Sequence, residues 1–222
     1  MSGNKIKTKV LIVNNIQSVS DEEYAIAYEL LSEERKQKVN KIRFKKDKIQ
    51  SIIVYCLLKH GLREFYNFKQ MPNFSYNEYN KPYFIDSNIQ FNLSHCLNAV
   101  CCSISYQEVG IDIQDKVACY ENILNYSMNL NEIIEIESSL NPIDIFYRYW
   151  TLKESYLKCI GTGINDDLNK IDFSAFSQEK FYYKEHQFFS ILPYDCCLSF
   201  CGAELPEVIY MDYQQAITKS DF

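Results

Sequence analysis

Much of what marks a familiar metal or nucleotide site is missing from this chain. It has no CxxC pair and no HExxH segment, so neither a zinc ribbon nor a zincin is supported. There is no GxxxxGK[ST] loop, and Gly161-Thr162-Gly163 is too short to cradle a triphosphate, which argues against an ATP-dependent phosphotransferase. Nothing approaches the roughly 20 apolar residues of a membrane span; the start, MSGNKIKTKV, leads only into a short apolar stretch. Positive charge is in deficit overall, with a formal net charge of −6. An acidic chain without an aromatic-studded basic groove or a reading motif points away from nucleic acid. The expectation is a soluble, cytoplasmic protein.

What is present is a core-forming chain. Hydrophobic residues make up 47% of its 222 residues, a length that holds one large domain or two small ones. The 9 cysteines are scattered, odd in number and mostly set in apolar runs such as Val100-Cys101-Cys102 and Cys196-Cys197-Leu198. They read as buried free thiols in a reducing compartment. None has the neighbours of a reactive thiol. Basic residues cluster from Arg35 to Lys48, interrupted only by Asp47 among the charges. Such a stretch suits an anion, although each lysine alone reads as part of a solvated helix face.

The pattern predicts alternating helices and strands. A strand at Lys9–Asn14 precedes Ser20-Asp21-Glu22-Glu23, a capping box opening a helix, and Ser32 caps a second. Ile49, Ile52, Ile53, Cys56 and Leu57 form a helical stripe ending near His60-Gly61. Residues 67–88, rich in Asn, Pro, Tyr and Ser, read as loops with short strands. Strands are expected at Ile89–Leu93, Ala99–Ser105 and Val109–Ile113, a helix near Asn131–Ser138, and late strands around Phe181–Phe189 and Cys196–Ala203.

Three segments carry chemistry. In Val109–Gln114 the apolar Val109, Ile111 and Ile113 alternate with Gly110, Asp112 and Gln114, so Asp112 and Gln114 point the same way. Around Trp150–Lys158, Phe146, Tyr149, Trp150, Leu157 and Ile160 recur at helical spacing and Gly161 stops the helix, which keeps Glu154 and Lys158 on one face. A carboxylate on a strand, a second on a following helix and a lysine one turn beyond it suit Mg²⁺, which binds a couple of carboxylates together with substrate phosphates. Taken singly, Asp112 reads as a strand-end acid and Glu154–Lys158 as a solvated helix pair. His95, in Phe91–Cys96, reads alone as a half-buried residue ending a strand.

In order, Leu93-Ser94-His95, Gly110-Ile111-Asp112 and Trp150-Thr151-Leu152-Lys153-Glu154-Ser155-Tyr156-Leu157-Lys158 resemble the surfactin-synthetase type of 4'-phosphopantetheinyl transferase. Tyr79-Asn80-Lys81-Pro82 and the basic segment opening Leu31-Ser32-Glu33-Glu34-Arg35 extend the resemblance through nearly the whole chain. It implies an α/β (α+β) fold of two similar, pseudo-twofold-related halves, residues 1–105 and 106–222, with the active site in the cleft between them, a monomer-like layout that does not need to oligomerise. It implies transfer of the phosphopantetheine arm of coenzyme A to a serine of an acyl or peptidyl carrier protein. Asp112, Gln114 and Glu154 would bind Mg²⁺, with Glu154 as the general base. Lys158 and His95 would bind phosphate, with Ser94 and Lys153 beside them. Arg35 and Lys38, helped by Ser51, would meet the 3'-phosphate, and Tyr79, Lys81 and Pro82 would flank the adenine. Ile123, Leu124, Tyr126 and Met128 would face the carrier. Where many relatives carry a second carboxylate two residues after the aspartate, this chain has Gln114. That departure leaves a non-catalytic coenzyme A-binding regulatory module as the competing reading.

Overall fold

The computed structural model describes residues 7–163, 168–193 and 195–218. Its first part runs β1 (Lys9–Asn14), α1 (Asp21–Glu29), α2 (Glu33–Asn40), α3 (Lys45–Tyr66), β2 (Phe74–Tyr76), β3 (Pro82–Phe84), β4 (Gln90–His95) and β5 (Ala99–Ser105). It continues with β6 (Val109–Asp115), α4 (Glu121–Ser127), α5 (Leu130–Ser138), α6 (Pro142–Ile160), β7 (Lys180–Tyr183), β8 (His186–Ile191), β9 (Cys196–Gly202), β10 (Glu207–Met211) and α7 (Tyr213–Thr218). This is a mixed α/β architecture. One four-stranded sheet has the order β10-β1-β5-β4, another the order β6-β9-β8-β7, and β2-β3 form a small ribbon. The chain's last strand returns to the first sheet, β10 pairing parallel with β1.

Strand alternation builds the layers. In β1, Leu11 and Val13 join the helix-side core with α3, while Val10 and Ile12 join a second core with Ile111, Ile113, Leu198 and Phe200 of the other sheet. The two sheets therefore share an apolar interior. The opposite face of the second sheet buries Cys197, Cys201 and Phe188 against Phe146, Tyr149, Leu152 and Leu157 of α6.

Most local signals act as expected. Ser20 and Glu23 form a reciprocal capping box, and the Ser32 hydroxyl accepts from the Arg35 amide. Gly161, at φ 75°, ends α6. The stripe through Ile49 does not end at Gly61: α3 continues to Tyr66 and stops at Asn67, which takes the left-handed conformation at φ 58°. Gly61 serves packing instead, because a Cβ there would lie 2.5 Å from Ile104 Cδ1. The segment around Phe181–Phe189 is two strands with Lys184 at φ 50° between them. Of the expected halves 1–105 and 106–222, residues 1–6, 164–167, 194 and 219–222 lie outside the described residues. Among the described residues, no helix is long and apolar enough to cross a membrane.

Candidate active site

The site forms where α6 crosses β6. Gly110 permits the crossing, since a Cβ there would fall 2.0 Å from Ser155 O and 2.4 Å from Cys159 N. Two residues along the same strand face, Asp112 is fully buried. Its Oδ1 accepts from Lys158 Nζ at 2.5 Å and from Ser94 Oγ at 2.8 Å, and Gln114 Nε2 donates to its Oδ2 at 3.2 Å. Ser94, Asp112, Gln114 and Lys158 are thus one hydrogen-bonded group drawn from β4, β6 and α6.

Glu154 lies one helical turn before Lys158 and is 5% exposed. Burial, reinforced by the nearby Asp112 charge and opposed by Lys158, pushes its carboxyl up to about 7. Its Oε1 is buried without a hydrogen-bond partner. For Lys158, burial alone lowers the pKa, but the charge and hydrogen bond of Asp112 outweigh it and hold the ammonium above its ordinary range. His95 ends β4 and is exposed. Desolvation on its protein side, then the Lys158 charge, lowers its pKa.

Glu154 and Lys158 line a cavity of about 280 Å³ together with Tyr79, Lys81, Pro82 and Asn92. The turn bearing Tyr79 is fixed by Asn77, whose Oδ1 accepts from the Tyr79 and Lys81 amides and whose Nδ2 donates to Gly161 O. Lys81 Nζ donates to Cys159 O at 2.8 Å, so its charge caps the end of α6. A second hollow, lined by Arg35, Lys38, Tyr55, Tyr76 and Phe91, adjoins the first through Pro82 and Leu93, which line both. Arg35 Nη2 donates to Ser51 Oγ at 2.8 Å, and its Nε is buried without a partner. Lys38 Nζ reaches the Tyr76 hydroxyl at 3.2 Å.

Lys153 stands apart from the cluster. It is fully buried and donates to Glu132 Oε2 at 2.5 Å, Ser127 O at 2.7 Å and Leu168 O at 2.9 Å. One position before Glu154 on the helix, it points into the packing against α4 and α5, and the expected phosphate role is corrected to an internal ion pair. Leu124 and Met128 also belong to the core, while Ile123 and Tyr126 are exposed. Pattern reading missed Asn92, whose Oδ1 accepts from the Ile111 amide at 2.9 Å. The signal was there: Asn92 alternates with Phe91 and Leu93 and shares the Ser94 face of β4.

Mg²⁺ fits this donor set. Asp112 and Glu154 supply buried carboxylates, the unpartnered Glu154 Oε1 needs a counter-charge, and Gln114 adds an amide oxygen or a water-holding group. All are hard oxygen donors.

Residues 108–217 match the model of the 4'-phosphopantetheinyl transferase superfamily. The chain is 32% identical over 163 residues to a 4'-phosphopantetheinyl transferase of Aneurinibacillus migulanus, covering 71% of this chain and 67% of that protein. It is 30% identical over 167 residues to an L-aminoadipate-semialdehyde dehydrogenase-phosphopantetheinyl transferase of Candida glabrata, covering 68% and 62%. A 4'-phosphopantetheinyl transferase of Bacillus subtilis is 27% identical over 151 residues, covering 66% and 67%. The matches span about two thirds of these relatives' lengths.

Proposed function

The chain belongs to the 4'-phosphopantetheinyl transferase superfamily, and on that premise we propose that it moves the phosphopantetheine arm of coenzyme A to a serine hydroxyl of an acyl or peptidyl carrier protein. The other product is adenosine 3',5'-bisphosphate. The observation that carries this assignment to particular residues is the buried, partnerless Glu154 Oε1 beside an Asp112–Lys158 pair.

Asp112, Glu154 and Gln114 are the residues that would hold Mg²⁺. When bound, the ion neutralises the crowded negative charge of the pyrophosphate and stabilises the leaving group. Lys158 turns its ammonium from Asp112 to a phosphate oxygen, its half-buried side chain leaving it room to do so. His95, with its lowered pKa, is a neutral imidazole near pH 7 and donates one N–H to a phosphate oxygen. Ser94 holds Asp112 in place through their 2.8 Å hydrogen bond. Glu154 is the general base for the serine proton, directly through the carboxylate oxygen that would not face the ion or through a water; it is the one carboxylate of the cluster besides Asp112, and Asp112 is engaged by Lys158 and Ser94. The serine oxygen forms its bond to the phosphorus bearing pantetheine as the bond from that phosphorus to the bisphosphate oxygen breaks.

Arg35 and Lys38 take the 3'-phosphate, with Ser51 orienting Arg35, and the Tyr79, Lys81 and Pro82 turn flanks the adenine. The two hollows share Pro82 and Leu93 in their linings, which supports their being filled by parts of one extended molecule. A first half with three sheet strands and a second with four, each backed by one long helix, support a pseudo-twofold arrangement divided near Tyr106, with β10 of the second half completing the first sheet.

The test is intact-mass measurement of apo carrier proteins incubated with the purified chain, coenzyme A and Mg²⁺. A gain of one phosphopantetheine arm is expected, abolished by chelation and by Glu154→Ala. Coenzyme A binding with no mass gain on any acyl or peptidyl carrier would overturn the reading.

A further inference from the structure

A second group of metal-ligating side chains lies beyond the carboxylate cluster, on the far side of the β6–α6 crossing. Cys159 follows Lys158 on α6, Cys201 lies on β9, and His186 opens β8. Their ligand atoms all lie within 4.8 Å of one another. The assembly has a clear structural origin. Cys201 pairs in register with Gly110, and the space left by the missing Gly110 side chain is filled by the backbone of Cys159. The glycine that lets α6 cross β6 therefore also sets one sulfur over the strand that bears the other. The β7–β8 turn brings His186 to the same place, its ring edge-on to Tyr156 at 5.7 Å.

Buried free thiols account for Cys159 and Cys201, which are 1% and 0% exposed and lie side by side. They do not account for His186. Its Nδ1 is buried with no hydrogen-bond partner, and a buried imidazole nitrogen without a partner carries a desolvation cost that a metal would relieve. We propose that Cys159, His186 and Cys201 form a second metal site, separate from the carboxylates, that takes a borderline or soft transition-metal ion, Zn²⁺ first among them. Two sulfurs and one imidazole nitrogen are the donors Zn²⁺ prefers, at about 2.3 Å for sulfur and about 2.0–2.1 Å for nitrogen, which needs only small side-chain adjustments from the present spacing. They are poor donors for Mg²⁺, which demands oxygen, so the two sites do not compete for one ion.

Binding balances as two cysteine thiols and one Zn²⁺ giving a bis-thiolate complex and two protons released to solvent, with neutral His186 as third ligand. The two thiolates cancel the charge of the ion inside the protein. Access is from the His186 side, because His186 is half-buried while both sulfurs are enclosed. A metal there ties the last turn of the helix bearing Glu154 and Lys158 to two strands of the second sheet.

The experiment uses the full, reduced, metal-stripped chain in excess Mg²⁺, titrated with Co²⁺ as a spectroscopic probe and with Zn²⁺ against a chromogenic chelator. About one equivalent of Zn²⁺ is expected to bind, with a thiolate-to-Co²⁺ charge-transfer band and proton release. Cys201→Ser weakens the band and the Cys159→Ser/Cys201→Ser double variant removes it, whereas Cys96→Ser, which alters the separate Cys96–Asp115–Cys196 group, leaves it unchanged. His186→Ala, at a half-buried position that tolerates truncation, is the second variant. X-ray absorption on its Co²⁺ complex is expected to keep both sulfur ligands and lose one nitrogen. No charge-transfer band in the parent chain, a band that survives in the Cys159→Ser/Cys201→Ser double variant, or an unchanged nitrogen count in His186→Ala would each overturn the proposal. The readout is metal binding alone, so it stands or falls independently of transferase activity.

Discussion

Glu154 and Lys153 are neighbours in sequence and opposites in environment. Glu154 has a raised pKa because it is buried next to Asp112. The folded, metal-free chain therefore binds this proton more tightly than the unfolded one, and stability falls as pH rises from about 4.5 to about 7. The full effect is on the order of 3 kcal/mol. Urea unfolding of the metal-free chain across that window checks it: Glu154→Gln is expected to flatten the decline, and an equally steep decline in the variant would exclude Glu154 as its source. Lys153 is the case of a buried charge already paired. Burial lowers its pKa and raises that of Glu132, while each charge opposes the shift in the other. Lys153→Met strands Glu132 and is expected to cost about 3–5 kcal/mol, with coenzyme A affinity of the folded fraction unchanged by calorimetry. A selective loss of coenzyme A affinity at unchanged stability would restore Lys153 as a phosphate ligand.

At the scale of elements, the site depends on how closely one helix approaches one strand. Gly110 is the point of contact, and its hypothetical Cβ meets backbone atoms, which cannot swing aside as a side-chain tip can. Gly110→Ala forces α6 outward, carrying Glu154 and Lys158 away from Asp112. The expected cost is at least roughly 2 kcal/mol in the chemical-denaturation midpoint, with carrier modification falling further than the folded fraction accounts for. Unchanged stability would mean that α6 does not sit this close in solution.

The molecule as a whole is joined at a seam between two sheets. β6 is an edge strand, and side chains of β4 satisfy its outward amides: Asn92 Oδ1 accepts from Ile111 N at 2.9 Å and Ser94 Oγ from Ile113 N at 3.3 Å. These contacts close the edge without a backbone ladder and set Ser94 against Asp112. Asn92→Ala leaves the Ile111 amide buried and unpaired, at about 1–3 kcal/mol. Hydrogen exchange is expected to show faster exchange at Ile111 than in the parent chain, with the α3 amides unaffected.

How much of this could be read from the chain differs by feature. Period-two alternation in Val109–Gln114 put Asp112 and Gln114 on one face, and the helical spacing of Trp150–Lys158 put Glu154 and Lys158 on another; both faces are local consequences of backbone geometry. Caps at Ser20 and Ser32 were legible for the same reason, since their partners lie three residues away. Gly61 misled because a glycine that stops a helix and one that admits a packed neighbour are identical in sequence. β10 pairs with a strand about 198 residues earlier, as Lys9 with Glu207, and no local pattern announces such a partner.

Local sequence thus determined which residues share a face, where most helices begin, and the order of the motifs that place the chain in its family. Only the tertiary structure decided which faces meet: that Ser94 reaches Asp112, that Lys153 turns inward to Glu132, and that Cys159, His186 and Cys201 converge. The physical reason is range. Alternation, helical period and capping are enforced by atoms a few bonds apart, whereas these contacts depend on the close packing of side chains from β4, β6, α5, α6, β8 and β9, which share no local backbone geometry and become neighbours only through burial of a shared core.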